Sequence, residues 1–169
     1  VWHRERGLDG YDAVMLPGGF SYGDYLRAGA IARMSPIMED VVTYANKGGP
    51  VFGVCNGFQA ILKAGLLLPS DDDGPMLTLA HNTHRKFEDR WIHLNVIPGN
   101  KSPFLRDIER MYLPIAHGEG NFVCRKEWIM KGLEQAGQVV LRYVSATGGP
   151  AGGFPENPNG SQGDIAGIC

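Results

Sequence analysis

The sequence has few cysteines and no long apolar segment. Its three cysteines, Cys55, Cys124 and Cys169, are odd in number and widely spaced in 169 residues. This argues against a disulfide framework and favours a reducing compartment, so we expect a cytoplasmic protein. No stretch approaches the roughly 18–20 consecutive apolar residues of a membrane span, and the N-terminal residues lack the basic-then-apolar pattern of a signal peptide. We therefore expect no contact with a membrane.

The sequence also lacks an excess or a long run of charge of one sign. Sixteen basic residues stand against eighteen acidic ones without a long run of either sign, which leaves no electrostatic footprint for nucleic acid. A metal site is not expected either, because His81 and His84 beside residues 71–73 are a poor zinc signal without cysteine partners. Residues 71–74 are interpreted as a solvated turn. A small molecule or a protein is the expected partner of this chain, whose length suits one domain over residues 1–169.

Short apolar runs and glycine stops predict alternating strands and helices. Residues 12–16 and 51–54 are typical of buried parallel strands. Between them a helix is predicted, with Ser35 as N-cap, Pro36 as first residue and Gly48 as stop. A second helix is expected from Asn56 to about residue 67. This order indicates an α/β fold with a parallel sheet.

The region after Pro69 has a different pattern. Residues 76–80 and 91–97 are predicted to form an antiparallel hairpin or sheet edge, because apolar and polar residues alternate in the second segment. Further strands at 112–116, at 139–144 and from Asp164 onward, a helix at 126–136 and a long loop at 148–163 complete the expected elements.

The segment Gly53-Val54-Cys55-Asn56-Gly57 is the most informative motif, because it fits a nucleophile elbow that carries sulfur. Glycines two places to either side of Cys55 let a strand and a helix pass closely. The turn leaves Cys55 at a helix N-terminus, where unpaired N–H groups favour a negatively charged sulfur. Cys55 is therefore the candidate nucleophile, and a small buried hydrophobe is the alternative.

A nucleophile that attacks a carbonyl needs N–H donors for the oxyanion. The N–H groups of Asn56 and of Gly19, in the glycine-rich segment after the first strand, are the candidates. Gln59 lies one helical turn beyond Cys55 and is a candidate for holding a polar substrate group, although an isolated glutamine is more often a surface residue. His117, in the segment 116–120, remains open as a base, a ligand contact or a structural histidine.

Five longer stretches carry a family resemblance: residues 17–32 (PGGFSYGDYLRAGAIA), 53–59 (GVCNGFQ), 116–120 (AHGEG), 139–143 (VVLRY) and 157–161 (NPNGS). In these stretches the chain resembles the glutaminase subunit of phosphoribosylformylglycinamidine synthase, a class I glutamine amidotransferase of purine biosynthesis. The sequence of residues 25–27 resembles that of the separate small subunit of this enzyme more than that of the domain fused into the large single-chain enzyme.

The resemblance implies a flavodoxin-like fold with a mostly parallel central sheet, flanking helices and an antiparallel edge hairpin. It also implies that Cys55 attacks glutamine, that Gly19 and Asn56 stabilise the oxyanion, and that Gln59, His117, Gly118 and Glu119 bind the substrate. Ammonia would pass to a synthetase subunit, with a small accessory subunit in the complex. No cofactor is expected on this chain, and ATP and magnesium are expected on the synthetase.

The sequence departs from that family at both ends. The family's catalytic His and Glu lie in a His-Pro-Glu stretch that does not occur in these 169 residues, and its first strand is not found before Val1. We therefore expect both ends of the fold to be truncated and residues 1–169 alone to hydrolyse glutamine very poorly. Two alternatives remain: a catalytically silent docking subunit, and a cysteine hydrolase of the same fold with His117 as base. The roles of Asp24 and Arg27 stay open.

Overall fold

The computed structural model describes residues 1–24 and 26–169, without the side chain of Asp24. Tyr25 and that side chain, both part of the stretch at 17–32, lie outside the described residues. The described residues form two compact units, Val1–Pro69 and Ser70–Cys169. Within them no helix has the length and apolar character needed to cross a membrane.

The first unit contains a parallel strand pair and two helices. Its elements are strand β1 (Val14–Leu16), 3₁₀ turns at Ser21–Asp24 and Ala32–Met34, helix α1 (Pro36–Asn46), strand β2 (Val51–Gly53) and helix α2 (Asn56–Lys63). β1 pairs in parallel with β2, with Val14 opposite Val51 and Leu16 opposite Gly53. The predicted order of strand, helix, strand and helix is confirmed.

Helix α1 forms because its apolar residues recur at helical spacing. Met38 and Val41 are buried against Val14 of β1, and Ile37 and Tyr44 pack on the same cluster. Burying such side chains stabilises a helix of this length more than its intrinsic propensity does. The core of the first unit therefore lies between α1 and the strand pair, and it supports the ends of both strands.

The ends of the two helices differ in part from the prediction. The Ser35 side chain makes no capping hydrogen bond at the start of α1. Its hydroxyl oxygen lies 3.1 Å from the hydroxyl oxygen of Tyr22 instead. Helix α2 ends at Lys63, earlier than the predicted residue 67, because Gly65 takes a φ of +74° and its N–H donates to the Leu62 carbonyl. Leu66 N–H then donates to the Ile61 carbonyl, which completes a Schellman motif.

The second unit is built mainly from antiparallel strands. Its elements are β3 (Ser70–Asp71), β4 (Gly74–Pro75), β5 (Leu77–Ala80), β6 (Glu88–Val96), β7 (Arg110–His117), β8 (Asn121–Cys124), α3 (Glu127–Gln135), β9 (Val139–Val144) and β10 (Ile165–Ile168). The largest sheet has the order β10, β9, β6, β7. The alternation predicted for residues 91–97 is confirmed, because Ile92, Leu94 and Val96 are buried and the residues between them are not.

The partner predicted for β5 was wrong. β5 pairs with β8, and β6 pairs with β7 and β9, so residues 76–80 and 91–97 do not form a hairpin with each other. A short antiparallel hairpin does join β3 to β4, with the predicted turn at Asp72 and Asp73. Strand β8 was not predicted at all. Periodicity indicates which face of a strand is buried, but not which strand lies beside it.

Candidate active site

Cys55 occupies the strained turn that the sequence predicts. It lies between β2 and α2 with φ 53° and ψ −117°, a conformation that costs a residue with a Cβ atom about 1–3 kcal/mol. Its carbonyl accepts the Gln59 N–H at 3.1 Å, as the first hydrogen bond of the helix. The residue is exposed to solvent. Cys55 therefore presents its thiol at the N-terminus of α2 and is not a buried hydrophobe.

Two glycines make this turn possible. A Cβ atom on Gly57 would lie 2.0 Å from the carbonyl oxygen of Leu16, and one on Gly53 would lie 2.9 Å from the Gly57 carbonyl group. Distances under 3.0 Å are not tolerated between such atoms. The close passage of strand and helix at Gly53 and Gly57, predicted from their spacing around Cys55, is confirmed.

The glycine-rich segment after β1 lies beside Cys55. A Cβ atom on Gly18 would be 3.3 Å from the Cys55 Cβ and 3.7 Å from its Sγ. Gly19 follows with a φ of +139°, a conformation that favours glycine, and the space around its α-carbon is open. This segment thus borders the sulfur, while the assignment of the Gly19 and Asn56 N–H groups to an oxyanion hole stays a prediction.

The Asn56 side chain connects that segment to the helix. Its Oδ1 accepts the backbone N–H of Ser21 at 3.2 Å, and its Nδ2 donates to Gln59 Oε1 at 3.0 Å. Asn56 and Gln59 are both buried, at 2% and 7% exposure. Sequence reasoning assigned a role to the Asn56 backbone only, because nothing in the motif indicates where its side chain points.

A cavity of about 690 Å³ in the first unit is bordered by Gly18, Asn56 and Gly57. Cys55 does not line this cavity. Cys55 is instead an exposed residue.

The remaining predicted site residues, His117, Gly118 and Glu119, belong to the second unit. His117 ends β7, and the next two residues form the turn that leads to β8. Burial lowers the pKa of His117, with Glu88 acting in the opposite direction. The imidazole is therefore neutral near pH 7. Its Nε2 atom is buried without a hydrogen-bond partner among the described residues.

Sequence reasoning missed the polar residues that support this turn. Asn82 and Asn159 are both completely buried, and Ser161 Oγ donates to the Gly120 carbonyl at 3.3 Å. The Asn159 amide donates to the Tyr143 hydroxyl oxygen at 2.9 Å. The predicted loop at 148–163 contains no α-helix or regular strand, and a 3₁₀ turn (Gln162–Asp164) begins at its end. Its asparagine-rich segment is buried rather than solvated. Asparagine in such a segment is typical of exposed turns, so the sequence does not indicate that these asparagines are buried.

Metal binding finds no support in the described part of the chain. No group of three or more His, Cys, Asp or Glu side chains there is placed to hold a metal ion. His84 Nε2 lies 3.0 Å from the Pro158 carbonyl oxygen, and Asp71 forms an ion pair with Arg125. These side chains hold parts of the second unit together.

Comparison with known proteins identifies relatives over the whole chain. Residues 1–169 match the model of the CobB/CobQ-like glutamine amidotransferase domain. The chain is 47% identical to phosphoribosylformylglycinamidine synthase subunit PurQ of Chlorobium luteolum, over 99% of this chain and 69% of that protein. It is 46% identical to the subunit of the same name from Moorella thermoacetica, over 99% of this chain and 67% of the relative.

A solved structure supports the same relationship. The chain is similar to one in the structure of PurLQS from Thermotoga maritima, with a TM-score of 0.72 and 35% identity, over 95% of this chain and 64% of that one. The 169 residues thus span about two thirds of the length of these relatives. The domain match and this likeness confirm the predicted α/β fold class.

Proposed function

The chain belongs to the PurQ family of phosphoribosylformylglycinamidine synthase subunits, and we propose on this premise that it is the glutamine-hydrolysing component of such an enzyme. Glutamine is its substrate. The ammonia passes to a synthetase subunit that converts formylglycinamide ribonucleotide to the amidine in purine biosynthesis. A small accessory subunit completes the complex, ATP and magnesium act on the synthetase, and the cytoplasm is the location.

Cys55 performs the first chemical step. Its sulfur forms a bond to the carboxamide carbon of glutamine, and the carbonyl oxygen becomes an oxyanion that the N–H groups of Gly19 and Asn56 stabilise. One such donor typically lowers the barrier by about 2.7–4 kcal/mol. The C–N bond then breaks, and the nitrogen leaves as ammonia with the proton that the thiol gave up. Water hydrolyses the resulting glutamyl thioester, which restores the thiol and releases glutamate.

In this proposal the amino-acid end of glutamine is bound by backbone groups and by one side chain. The turn at His117, Gly118 and Glu119 contributes backbone groups of its last two residues. Gln59 contributes from α2, where its side chain already accepts a hydrogen bond from Asn56. These groups carry no covalent step, and their task is to hold the carboxamide carbon within reach of the sulfur.

The observation that carries the proposal is the backbone of Cys55. Cys55 has a φ of 53°, is exposed at the start of a helix and lies beside a glycine-rich segment. Such backbone strain costs folding free energy and is typical of functional sites. Neither buried Cys124 nor exposed Cys169 has a positive φ. The chain therefore contains two cysteines with which Cys55 can be compared directly.

Protection by glutamine tests the proposal. Iodoacetamide alkylation is followed at each cysteine by peptide mass spectrometry, with and without glutamine. We expect glutamine to slow alkylation of Cys55 and not of exposed Cys169, and we expect asparagine, one methylene shorter, to protect much less. Equal alkylation of Cys55 with and without glutamine would contradict glutamine binding and would favour a silent docking subunit.

A further inference from the structure

Asn82 contacts both ends of the turn that follows β7. It lies between β5 and β6 and is 0% exposed. Its backbone N–H donates to the Gly118 carbonyl at 2.9 Å, and its Nδ2 donates to the carbonyls of His117 and Lys86, each at 2.9 Å. Its Oδ1 accepts the Gly120 N–H at 3.1 Å. A single residue thus supports the whole turn.

These contacts determine the proton position on His117. Because Nδ2 faces two carbonyl oxygens, the amide of Asn82 can be oriented in one way only, with Oδ1 as the acceptor. His117 Nδ1 lies 3.2 Å from this same Oδ1. An acceptor requires a donor opposite it, so His117 carries its proton on Nδ1, and Nε2 is the unprotonated nitrogen.

Gly120 provides the space for the ring. A Cβ atom on Gly120 would lie 2.4 Å from His117 Cε1 and 2.6 Å from Nδ1. Any side chain at this position would displace the imidazole. Asn82 therefore holds the ring by a hydrogen bond, and Gly120 leaves room for the ring because it has no side chain.

We propose that Asn82 is a positioning residue that holds His117 in the Nδ1–H tautomer and thereby orders the Gly118 and Glu119 backbone for a ligand. The ligand part rests on the proposed function, in which that backbone binds the amino-acid end of glutamine. Asn82 itself touches no reacting atom in this account. It acts through the shape of the turn and through the ring it holds.

Several titratable groups lie around the ring, and among them Glu88 favours the protonated imidazole whereas His84 disfavours it. Glu88 of β6 stands opposite His117 in the β6–β7 register, and its carboxylate is shared with Arg90 and with His84 Nε2, the latter at 3.3 Å. Glu119 Oε1 lies 3.5 Å from His81 Nε2. Burial is the main cause of the lowered His117 pKa, and a protonated ring would leave a buried Nε2–H without an acceptor.

The tautomer of His117 is measured directly by long-range ¹H–¹⁵N correlation of the imidazole nitrogens in the unsubstituted chain. His84 is an internal reference of opposite sense, because its Nδ1 accepts the Lys86 N–H at 3.1 Å while its Nε2 faces the Pro158 carbonyl. We expect the Nδ1–H form at His117 and the Nε2–H form at His84. The Nε2–H form at His117, or a mixture of both forms, would overturn the proposal.

The variant Asn82→Asp tests the positioning role. A carboxylate still accepts from His117 and Gly120 but cannot donate to the two carbonyls. We expect the His117 titration midpoint to move to higher pH, and half-protection of Cys55 to need about tenfold more glutamine. Asn100→Asp is the control, because the Asn100 amide also donates to a backbone carbonyl and accepts a backbone N–H, although only one of each, and it should leave both readings unchanged. An unchanged His117 midpoint in Asn82→Asp would refute the proposal.

Gly120→Ala keeps the proposal testable if Asn82→Asp does not fold. The added methyl group should shift the His117 ring signals and abolish the single tautomer, whereas Gly118→Ala should leave those signals in place, because its Cβ would meet only Phe87 Cδ2 at 3.9 Å. Unchanged His117 signals in Gly120→Ala would count against the proposal. If glutamine fails to protect Cys55 in the unsubstituted chain, the proposed function fails, yet the ring measurements still decide the role of Asn82.

Discussion

The carbonyl oxygen of Leu16 lies 2.0 Å from the point that a Cβ atom on Gly57 would occupy. β1 and the first turn of α2 therefore pass each other with no room for a methyl group. We predict that Gly57→Ala lowers the free energy of unfolding by about 1–3 kcal/mol or more, because both contacting atoms belong to the backbone. Urea denaturation measures this change.

The control for Gly57→Ala is Gly132→Ala. Gly132 lies inside α3, and nothing lies within 4 Å of the site of its Cβ. Alanine in an exposed helix is preferred over glycine by about 0.5–1 kcal/mol, so this variant should be slightly more stable than the unsubstituted chain. Equal effects of the two variants would contradict the tight passage at the elbow.

Asn56→Ala tests the link between the glycine-rich segment and the elbow helix. It removes the acceptor for the Ser21 N–H and the donor to Gln59, which should cost about 1–3 kcal/mol of stability. Because that segment borders Cys55, protection of Cys55 by glutamine should also weaken. Asn100→Ala loses the same two kinds of hydrogen bond in another loop and should not change protection. Equal protection in both variants would show that the link has no bearing on the site.

Stability should depend on the protonation of His117. Burial lowers the folded-state pKa of His117 below the ordinary value of 6.5, so between the two pKa values the unfolded chain binds more protons than the folded one. The contribution of neutral His117 is thus complete above about pH 6.5 and is lost as the pH falls toward the lowered pKa. Urea midpoints from about pH 5 to about pH 8 measure this, and His117→Gln should flatten the profile. The same slope in both proteins would refute the assignment.

Tyr143 should resist ionisation in the folded protein. Burial raises the pKa of Tyr143 to about 12, although its hydrogen bond from Asn159 acts in the opposite direction. The stability that this tyrosine contributes is present below the ordinary value of 10 and is lost as the pH rises through about 12. Tyr143→Phe should cost about 1–3 kcal/mol at neutral pH, because the Asn159 amide loses its acceptor.

Ultraviolet titration checks the Tyr143 prediction. The phenolate absorbance that disappears in Tyr143→Phe should be the portion that arises last, near pH 12. Tyr112→Phe is the control, because Tyr112 is 55% exposed and its removal should leave the late portion intact. The prediction would be contradicted if the phenolate absorbance lost in Tyr143→Phe were a portion that arises well below pH 12.

The elbow could be predicted from the sequence because its geometry depends on local residues. Gly53 and Gly57 stand at fixed distances from Cys55, and a turn between an apolar strand and a helix explains all three at once. The start of α1 was also predictable, because proline tolerates the first position of a helix. In each of these cases the physical cause lies within a few residues of its effect.

The support of the turn at His117 was not predictable in the same way. Asn82 is 35 residues from His117 in the chain, and no spacing or composition connects the two. Strand β5 shows the same limit, because its partner is β8 and not the nearer β6. Long-range pairing depends on the shape of the whole unit, and a polar residue that becomes buried through it resembles any surface asparagine in the sequence.

Covalent labelling by an electrophilic glutamine analogue, a diazoketone, tests most directly whether the Cys55 sulfur attacks a glutamine side chain. Peptide mass spectrometry locates and counts the adducts. The account predicts one adduct, at Cys55, that glutamine suppresses and asparagine does not, with Cys124 and Cys169 unmodified. Labelling that is spread over Cys55 and Cys169, or that glutamine does not reduce, would contradict it.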